Sequence, residues 1–341
     1  LIALVEKTEN WELKPAVESL QTTYNYMVQY AAQGMEDPGR ENLYAQIHRG
    51  IYELADRVEF IGKLKNGYGH KSDTYRKFKR FATETYGQLK TSLESATEDL
   101  EVSNLMYTDA QQLQAKQREL YQQQERMTDQ LFDKTWISDC WTEEEAKEAN
   151  ELLVSVLVPA HVLAVFVSAV TLNLMALFDP RKFQFLLNAY RQRTELVINQ
   201  RALVGLALAV YYQEKRLAQY PELTAALSLW TEDPQVIEQL HSIQLLLLIS
   251  RETEKIDRRM REEIIPQMMH NSQLLEKDLN IEEIDIEELE DKNPEWEKNM
   301  KKISENIREL GELQMEGAET YMGTFAQLKS YPFFHQAAHW F

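Results

Sequence analysis

The stretch 168–178 reads SAVTLNLMALF, and apolar stretches of the same kind recur as RALVGLALAVY at residues 201–211 and HSIQLLLLISR at residues 241–251. Glycine is rare around them: Gly205 is the only glycine between residues 88 and 310. A sheet protein of this size needs many tight turns, which glycine and proline form, and a doubly wound α/β fold needs glycine-rich turns before its helices. The sequence therefore predicts an all-α protein.

The spacing of the three apolar stretches indicates a repeated helix pair. They begin 33 and then 40 residues apart, and the first two are each followed by a proline-marked loop and a shorter predicted helix, at 181–192 and 222–230. A helix pair that repeats at such a period is typical of an α-solenoid. Its inner helices are covered by neighbours on both sides, so they are apolar nearly all round. We therefore predict that all three apolar stretches are buried.

The middle stretch carries a resemblance to a known family. Asn199-Gln200-Arg201-Ala202, followed by Val204-Gly205-Leu206-Ala207-Leu208, resembles the second helix of a HEAT repeat. The Asp-Pro turns at 179–180 and 233–234 also suit that family, and tetratricopeptide-type pairing is the neighbouring possibility. Proteins of these families act as binding scaffolds. The resemblance therefore implies a surface of helix pairs that binds a protein or peptide.

The N-terminal part predicts long antiparallel helices. Apolar residues at three- and four-residue steps predict helices at 11–33 and 41–65, and a third helix that begins at Ser72 and continues through Leu89. The short loops between them favour antiparallel neighbours. This pattern predicts a helical bundle at the start of the chain.

A further long helix is predicted at 97–133. Apolar residues recur there every seven positions, at Met106, Leu113, Leu120 and Met127. The intervening seam positions are Ala110, Gln117 and Gln124, so the pattern favours one narrow buried stripe over a dimeric coiled coil. Thr142 and Glu145 then have the spacing of a capping box, which predicts a new helix from about residue 143.

These patterns divide the chain into three predicted regions. We expect an N-terminal antiparallel long-helix bundle at 1–141, an α-solenoid of helix pairs at 142–258, and charged helices at 259–341 that continue beyond the present C-terminus. The single cysteine, Cys140, cannot form an internal disulfide, which fits a reducing compartment and predicts a cytoplasmic protein.

Charge is distributed unevenly along the chain. The formal net charge is −18, which argues against general binding to nucleic acid or to an anionic membrane. Residues 276–291 form an acidic connector with nine acids and one lysine, whereas residues 57–80 carry eight basic groups against two acids, a net charge of +6. These two segments supply the candidate partner-binding residues, which are Lys71, Arg76, Lys77, Lys79, Arg80, Glu282, Glu283, Asp285, Glu287 and Glu288.

Aromatic residues accompany the basic ones, at Tyr68, Tyr75 and Phe78. Rings beside cations suit single-stranded nucleic acid, but the helical spacing of Tyr75 and Phe78 favours the buried face of a helix. We therefore expect an acidic protein segment, whether the chain's own or a partner's, in preference to nucleic acid.

Motifs that would carry chemistry are incomplete. Gly62 and Gly67 have phosphate-loop spacing, but the Lys and Ser/Thr that should follow are Tyr68 and Gly69, so a helix C-cap explains them better. Asp278, Asn280 and Glu282 resemble the start of a calcium loop, but the required sixth-position glycine is Glu283.

Two further candidates also favour a structural interpretation. His335 and His339 are four residues apart, but Gln336 replaces the catalytic Glu of a zinc protease, so we expect an aromatic packing cluster instead. Cys140 lies between two tryptophans, which predicts a buried, inert thiol. The sequence accordingly predicts no catalytic residue, no cofactor and no metal.

The sequence therefore predicts a non-catalytic interaction scaffold that binds a protein or peptide. One alternative is an enzyme whose site forms from dispersed residues or lies outside the present chain. Another is a membrane-associated protein, because residues 152–178 carry no charge and exceed the roughly 20 residues that span a bilayer. Pro159, His161 and Asn173 interrupt that run and favour two buried helices instead.

Overall fold

A computed structural model describes residues 1–80, 84–107, 109–259, 262, 328 and 331–341. These described residues form twelve α-helices and contain no β-strand, so the predicted all-α class is confirmed. The α-helices are α1 Ile2–Thr8, α2 Lys14–Ala32, α3 Arg40–Asn66, α4 His70–Arg80, α5 Tyr86–Met106, α6 Ala110–Trp136, α7 Glu143–Val154, α8 Ala160–Ala176, α9 Pro180–Gln192, α10 Leu196–Leu217, α11 Pro221–Trp230 and α12 Pro234–Arg259. Short 3-10 helices occupy Trp11–Leu13, Pro332–His335 and Ala337–Trp340.

The chain forms two compact units. The first contains Leu1–Val236 together with Gln336–Phe341, and the second contains Ile237–His335. Almost all of the described side chains belong to the first unit, which holds the candidate site discussed below.

The first four helices form a small bundle in which α3 contacts α1, α2 and α4. Its core includes Val5, Leu13, Val17, Leu54 and Val58, which pack from α1, the following 3-10 helix, α2 and α3. Two of the predicted helices, at 11–33 and 41–65, match α2 and α3 to within three residues. The apolar periodicity of this part was therefore sufficient to place both helices.

Two long helices that the sequence predicts are each interrupted. The helix predicted from Ser72 through Leu89 ends at Arg80, and α5 begins with a capping box in which Thr85 Oγ1 accepts from the Gln88 amide at 3.2 Å. The helix predicted at 97–133 is divided between α5 and α6, because the Asp109 carboxylate caps α6 by accepting from the Gln111 amide at 3.0 Å. Both predictions were wrong because apolar periodicity continued across polar caps that end one helix and begin another.

From α5 to α8, each helix contacts the helix that lies two places further along the chain. Helix α8 contacts α6 on one side and α10 on the other, while α7 contacts α5 and α9. The capping box predicted at Thr142 and Glu145 begins α7. Prolines occupy the first turns of α9, α11 and α12. Proline is tolerated there because the first-turn N–H has no intrahelical partner.

The uncharged run at 152–178 is divided between α7 and α8 by a non-helical segment, Ser155–Pro159. Helix α8 is buried on nearly all sides, as predicted for an inner helix. In the described part of the chain, no helix combines the length and the apolarity that crossing a bilayer requires.

Helix α10 approaches α8 closely at Gly205. A Cβ atom added at Gly205 would lie 2.2 Å from Thr171 Oγ1 and 3.2 Å from Leu186 Cδ1. Only glycine allows the two backbones to come this near without displacing Thr171. The one glycine between residues 88 and 310 thus marks a close approach of α10 to α8.

The third apolar stretch does not behave like the first two. In α12, the side chains of Leu245, Leu246 and Leu248 are 58 %, 53 % and 54 % exposed. The prediction that this stretch is buried was therefore wrong. Apolar composition favours burial, but it does not supply the neighbours that burial requires.

Candidate functional site

The corner between α6 and α7, residues Trp136–Thr142, is fixed by a buried lysine. Lys182 Nζ donates to Ser138 Oγ at 2.8 Å, to the Asp139 carbonyl at 2.7 Å and to Asn173 Oδ1 at 2.8 Å. Its side chain is fully buried, and the Asp179 carboxylate lies 3.8 Å away. Burial lowers the pKa of Lys182, while the charge of Asp179 opposes that shift. The three acceptors match the three N–H bonds of an ammonium group, so this network is saturated.

The same network holds the backbone of the corner. Asn173 Nδ2 donates to the Trp136 carbonyl at 3.0 Å and to the Ser138 carbonyl at 2.8 Å. Asp179 Oδ2 accepts from the Trp141 amide at 2.7 Å. Residues from α8 and from the start of α9 therefore position a segment that contributes to the groove described next.

Cys140 lies within this corner and is only partly buried, whereas the sequence predicts a buried thiol. Burial is the main cause that raises the pKa of Cys140 to about 12, and the charge of Asp179 adds to it. Nucleophilic cysteines depend on the thiolate form, which a raised pKa suppresses. The thiol lies 3.8 Å from the Phe178 carbonyl, consistent with a packing role.

Beside the corner, two adjoining cavities form a groove along α4. Their volumes are 320 and 350 Å³, and both are lined by Glu12, Tyr75 and Lys79. We call the pair the basic groove, because its lining includes five cationic side chains, those of Lys65, Arg76, Lys79, Arg80 and Lys134. Three of these, Arg76, Lys79 and Arg80, are among the predicted candidate residues, and their spacing along α4 places them together.

The cations of the basic groove differ in how far they are already engaged. Arg76 forms an ion pair with Asp73 and donates to the Gly67 carbonyl at 3.1 Å, so it also closes the end of α3. Lys79 Nζ lies 5.9 Å from the ring centre of Tyr75. Lys79 and Arg80 are exposed, and neither forms an ion pair with another described residue. These two side chains are the most available charges of the groove.

The acids of the groove are fewer. Asp139 is engaged by Arg57, whose Nε and Nη2 donate to its two carboxylate oxygens at 2.9 and 2.7 Å. Glu12 and Glu145 also line the groove. Since Asp139 is neutralised by Arg57, the groove presents a modest excess of positive charge.

The other two basic candidates lie outside the lining of the groove. Lys71 Nζ is 5.0 Å from the ring centre of Phe60 and 5.2 Å from that of Trp136. Burial is the main cause that lowers the pKa of Lys71 to about 8, which suits a lysine packed between rings. Lys77 acts on a different set of groups, because its charge lowers the pKa of Asp129 and of Asp133.

Sequence reasoning did not select Lys65 or Lys134 as site residues. Lys65 lies within the basic segment, and its Nζ donates to the Glu9 carbonyl at 3.1 Å. Lys134 comes from α6, and its Nζ lies 5.1 Å from the ring centre of Tyr86. Burial lowers the pKa of Lys134. No local signal marks it, because only the packing of α6 beside α4 brings it to the groove.

The acidic candidates Glu282, Glu283, Asp285, Glu287 and Glu288 lie outside the described residues. The same holds for the whole acidic connector, 276–291. Its proposed contact with a basic partner, or with the basic groove itself, stays a prediction.

A larger cavity of 590 Å³ lies between α3 and the kink of α10 at Gln213. Gln213 Nε2 donates to the Leu174 carbonyl at 2.9 Å, at the end of α8. Four of its charged lining residues form two ion pairs: Arg216 donates to both oxygens of Asp56 at 2.5 and 2.9 Å, and Lys63 Nζ lies 2.7 Å from Glu59 Oε1. This cavity therefore offers no convergent set of charges comparable to that of the basic groove.

The two C-terminal histidines do not share a helix. His335 ends one 3-10 helix and His339 lies in the next, with Gln336 in an extended conformation between them. The described part of the chain contains no group of three or more His, Cys, Asp or Glu side chains that could hold a metal ion. Ala338, within the second 3-10 helix, packs with Phe132 and Ala169, so apolar and aromatic side chains contribute to the packing of this segment.

The fold and the groove define an all-α protein with a basic groove lined by residues of α3, α4 and α6. Comparison with known proteins finds no protein family, no curated protein and no solved structure that matches the chain.

Proposed function

We propose that this protein is a helical-repeat interaction scaffold whose basic groove binds an acidic segment of a partner protein. The observation that carries the proposal is the convergence of Lys65, Lys79, Arg80 and Lys134, from three different helices, around Tyr75. Charges that converge from separate elements form a surface that a partner can recognise.

The repeat character is supported by how consecutive helix pairs pack. The pairs α5–α6, α7–α8 and α9–α10 follow one another along the chain, and the second helices contact one another, as do the first helices. Stacked pairs of this kind bury a continuous core and leave edges and grooves for binding. HEAT-like or tetratricopeptide-type membership is part of this proposal and rests on the sequence resemblance.

An acidic protein segment suits the groove better than nucleic acid does. Single-stranded nucleic acid is bound by aromatic rings that are free to stack on bases. Tyr75 is buried and Phe78 is half-buried, whereas the fully exposed Tyr68 does not line the groove. The net charge of −18 also opposes a polyanion that must approach over a large surface.

The test measures binding of a labelled polyglutamate peptide by fluorescence anisotropy. The double variant Lys79→Gln/Arg80→Gln is expected to weaken binding about fivefold, since two exposed charges contribute about 1 kcal/mol together. Raising the salt concentration from about 0.05 M to about 0.5 M is expected to remove most of the binding, because exposed charges are screened.

The matched control is the double variant Lys116→Gln/Lys147→Gln, which makes the same change in net charge on α6 and α7, outside the groove. It is expected to change the affinity by less than about twofold. Equal weakening by both double variants would show that the peptide responds to net charge alone and would overturn the proposal. Tighter binding of an oligo-dT strand than of polyglutamate would replace it with a nucleic-acid function.

A further inference from the structure

A short C-terminal segment, Gln336–Phe341, lies against α6 and α8 within the first unit. The ring of Phe341 stacks on that of Phe132 with 5.6 Å between ring centres. Ala338 is buried against Phe132 and Ala169. These apolar contacts dock the segment, which we call the strap.

Polar contacts then fix the strap at both of its ends. Arg201 Nη2 donates to the Phe341 carbonyl at 2.6 Å, and Arg201 Nη1 donates to Ser168 Oγ at 2.8 Å. At the other end, Gln336 Nε2 donates to Asp133 Oδ2 at 3.4 Å. The strap is thus bonded to α10 at one end and to α6 at the other.

Between these ends, a histidine of the strap faces two acids of α6. His339 Nε2 lies 3.4 Å from Glu125 Oε1 and 3.4 Å from Asp129 Oδ1. Glu125, Asp129 and Asp133 are each one helical turn apart, so they share one face of α6. Histidine is the side chain whose charge changes most readily near neutral pH, and in this contact it faces two carboxylates.

We propose that the strap docks on α6 and α8 in a pH-dependent way, through the contact of His339 with Glu125 and Asp129. The protonated imidazole attracts both carboxylates and offsets their mutual repulsion. Loss of that proton leaves two carboxylates facing a neutral ring, so the strap is released as the pH rises.

Asp133 acts in the same direction. Burial is the main cause that raises the pKa of Asp133 to about 6, and its Oδ1 is buried without a hydrogen-bond partner among the described residues. A carboxyl whose pKa is raised by burial keeps its proton more tightly in the docked form. Docking is therefore favoured at low pH. The contribution of Asp133 is lost as the pH rises from the ordinary pKa of an aspartate to the raised pKa of about 6.

Other charges around the strap modulate this balance without reversing it. On α4, the charges of His70 and Lys77 lower the pKa of Asp133, and Lys77 also lowers that of Asp129. Burial, the largest cause, raises the pKa of Asp129. Helix α8 contributes apolar side chains to this contact, including Val165 and Leu172.

The test measures amide hydrogen exchange of the strap by mass spectrometry at about pH 5.5 and about pH 8, with labelling times scaled to the intrinsic exchange rates. Protection of residues 336–341 in the full chain is expected to fall about tenfold at the higher pH, because the attraction between a charged imidazole and two carboxylates is lost. A peptide from α9, 180–192, serves as the internal control and is expected to keep its protection.

Three variants separate a pH-controlled strap from a merely packed one. His339→Gln imitates the neutral imidazole and is expected to lower the protection at about pH 5.5 toward the value at about pH 8, leaving only the smaller pH dependence that Asp133 contributes. Glu125→Gln/Asp129→Asn removes the facing charges and is expected to reduce the pH dependence to less than about threefold. Phe341→Leu is expected to lower protection at both pH values while leaving their ratio unchanged.

Two results would overturn the proposal. One is equal protection of the strap at both pH values in the unmodified chain. The other is a His339→Gln variant that retains the tenfold fall.

Discussion

Helices α8 and α2 have similar lengths, 17 and 19 residues, but opposite surroundings. Most residues of α8 are buried, including Phe166 and Val167, whereas Val17 is the only buried residue of α2. Helix α8 has α6 and α10 on its two sides, while α2 lies mainly against α3. Helix α8 is therefore stabilised by neighbours on several faces, and α2 by one line of contact.

The residue types on the two helices follow this difference. Helix α8 has no charged residue and contains mainly Val, Leu and Ala. Helix α2 exposes Tyr24, Tyr26 and Tyr30, whose hydroxyl groups remain in water while their rings cover the helix surface. The free energy of unfolding should therefore respond strongly to changes in α8 and weakly to changes on the exposed face of α2.

The largest effect is expected for Phe166→Ala in α8. Phe166 is fully buried, and its ring centre lies 5.0 Å from that of Phe185 and 5.7 Å from that of Tyr86. Deleting a buried phenyl ring removes its transfer free energy and leaves a cavity, so the free energy of unfolding should fall by about 4 kcal/mol. Urea unfolding followed by circular dichroism measures this change.

Phe166→Leu is the matched control and should cost about 1 kcal/mol, because most of the volume is kept. A loss below 1 kcal/mol for Phe166→Ala would mean that α8 is not packed from both sides.

The second effect concerns a buried charge in the same region, Lys182. Lys182→Met keeps the aliphatic volume but removes the three hydrogen bonds of Nζ, and it leaves Asp179 buried without its nearby cation. Removing one partner of a buried, bonded charge is expected to lower the free energy of unfolding by about 3 kcal/mol. The same urea titration measures it, with the exposed Lys147→Met as the control. An unchanged stability would show that the corner at Trp136–Thr142 is held by packing alone.

Local patterns predicted the helix starts best. The capping box of Thr142 and Glu145 was visible in the sequence, and the structure contains both of its bonds, at 3.2 and 2.8 Å. The break between α5 and α6 was not predicted, because the heptad pattern from Met106 to Leu113 continued across it. A cap is set by a few atoms, whereas a long apolar period can arise from two helices in succession.

Tertiary relations account for the remaining differences. The exposure of Leu245 in α12 depends on which elements surround it, and no property of the sequence window specifies that. The cations of the basic groove also differ in whether the sequence alone could place them. Spacing along one helix brought Lys79 and Arg80 together, while Lys134 reaches them only because α6 packs nearby. Sequence reasoning therefore located one wall of the candidate site and missed the other.

The smallest effect is expected for Tyr26→Ser in α2. The Tyr26 side chain is 56 % exposed, and its ring lies 6.5 Å from that of Tyr30, one helical turn away. Such a pair stabilises a helix by a few tenths of a kcal/mol, so the free energy of unfolding should change by less than about 0.5 kcal/mol. Val17→Ala in the same helix should cost about 2 kcal/mol, because Val17 is its one buried residue. If Tyr26→Ser were as costly as Val17→Ala at high protein concentration but not at low concentration, a second copy of the chain would cover this face of α2 in solution. In that case the contrast between α2 and α8 would belong to the isolated chain and not to the associated protein.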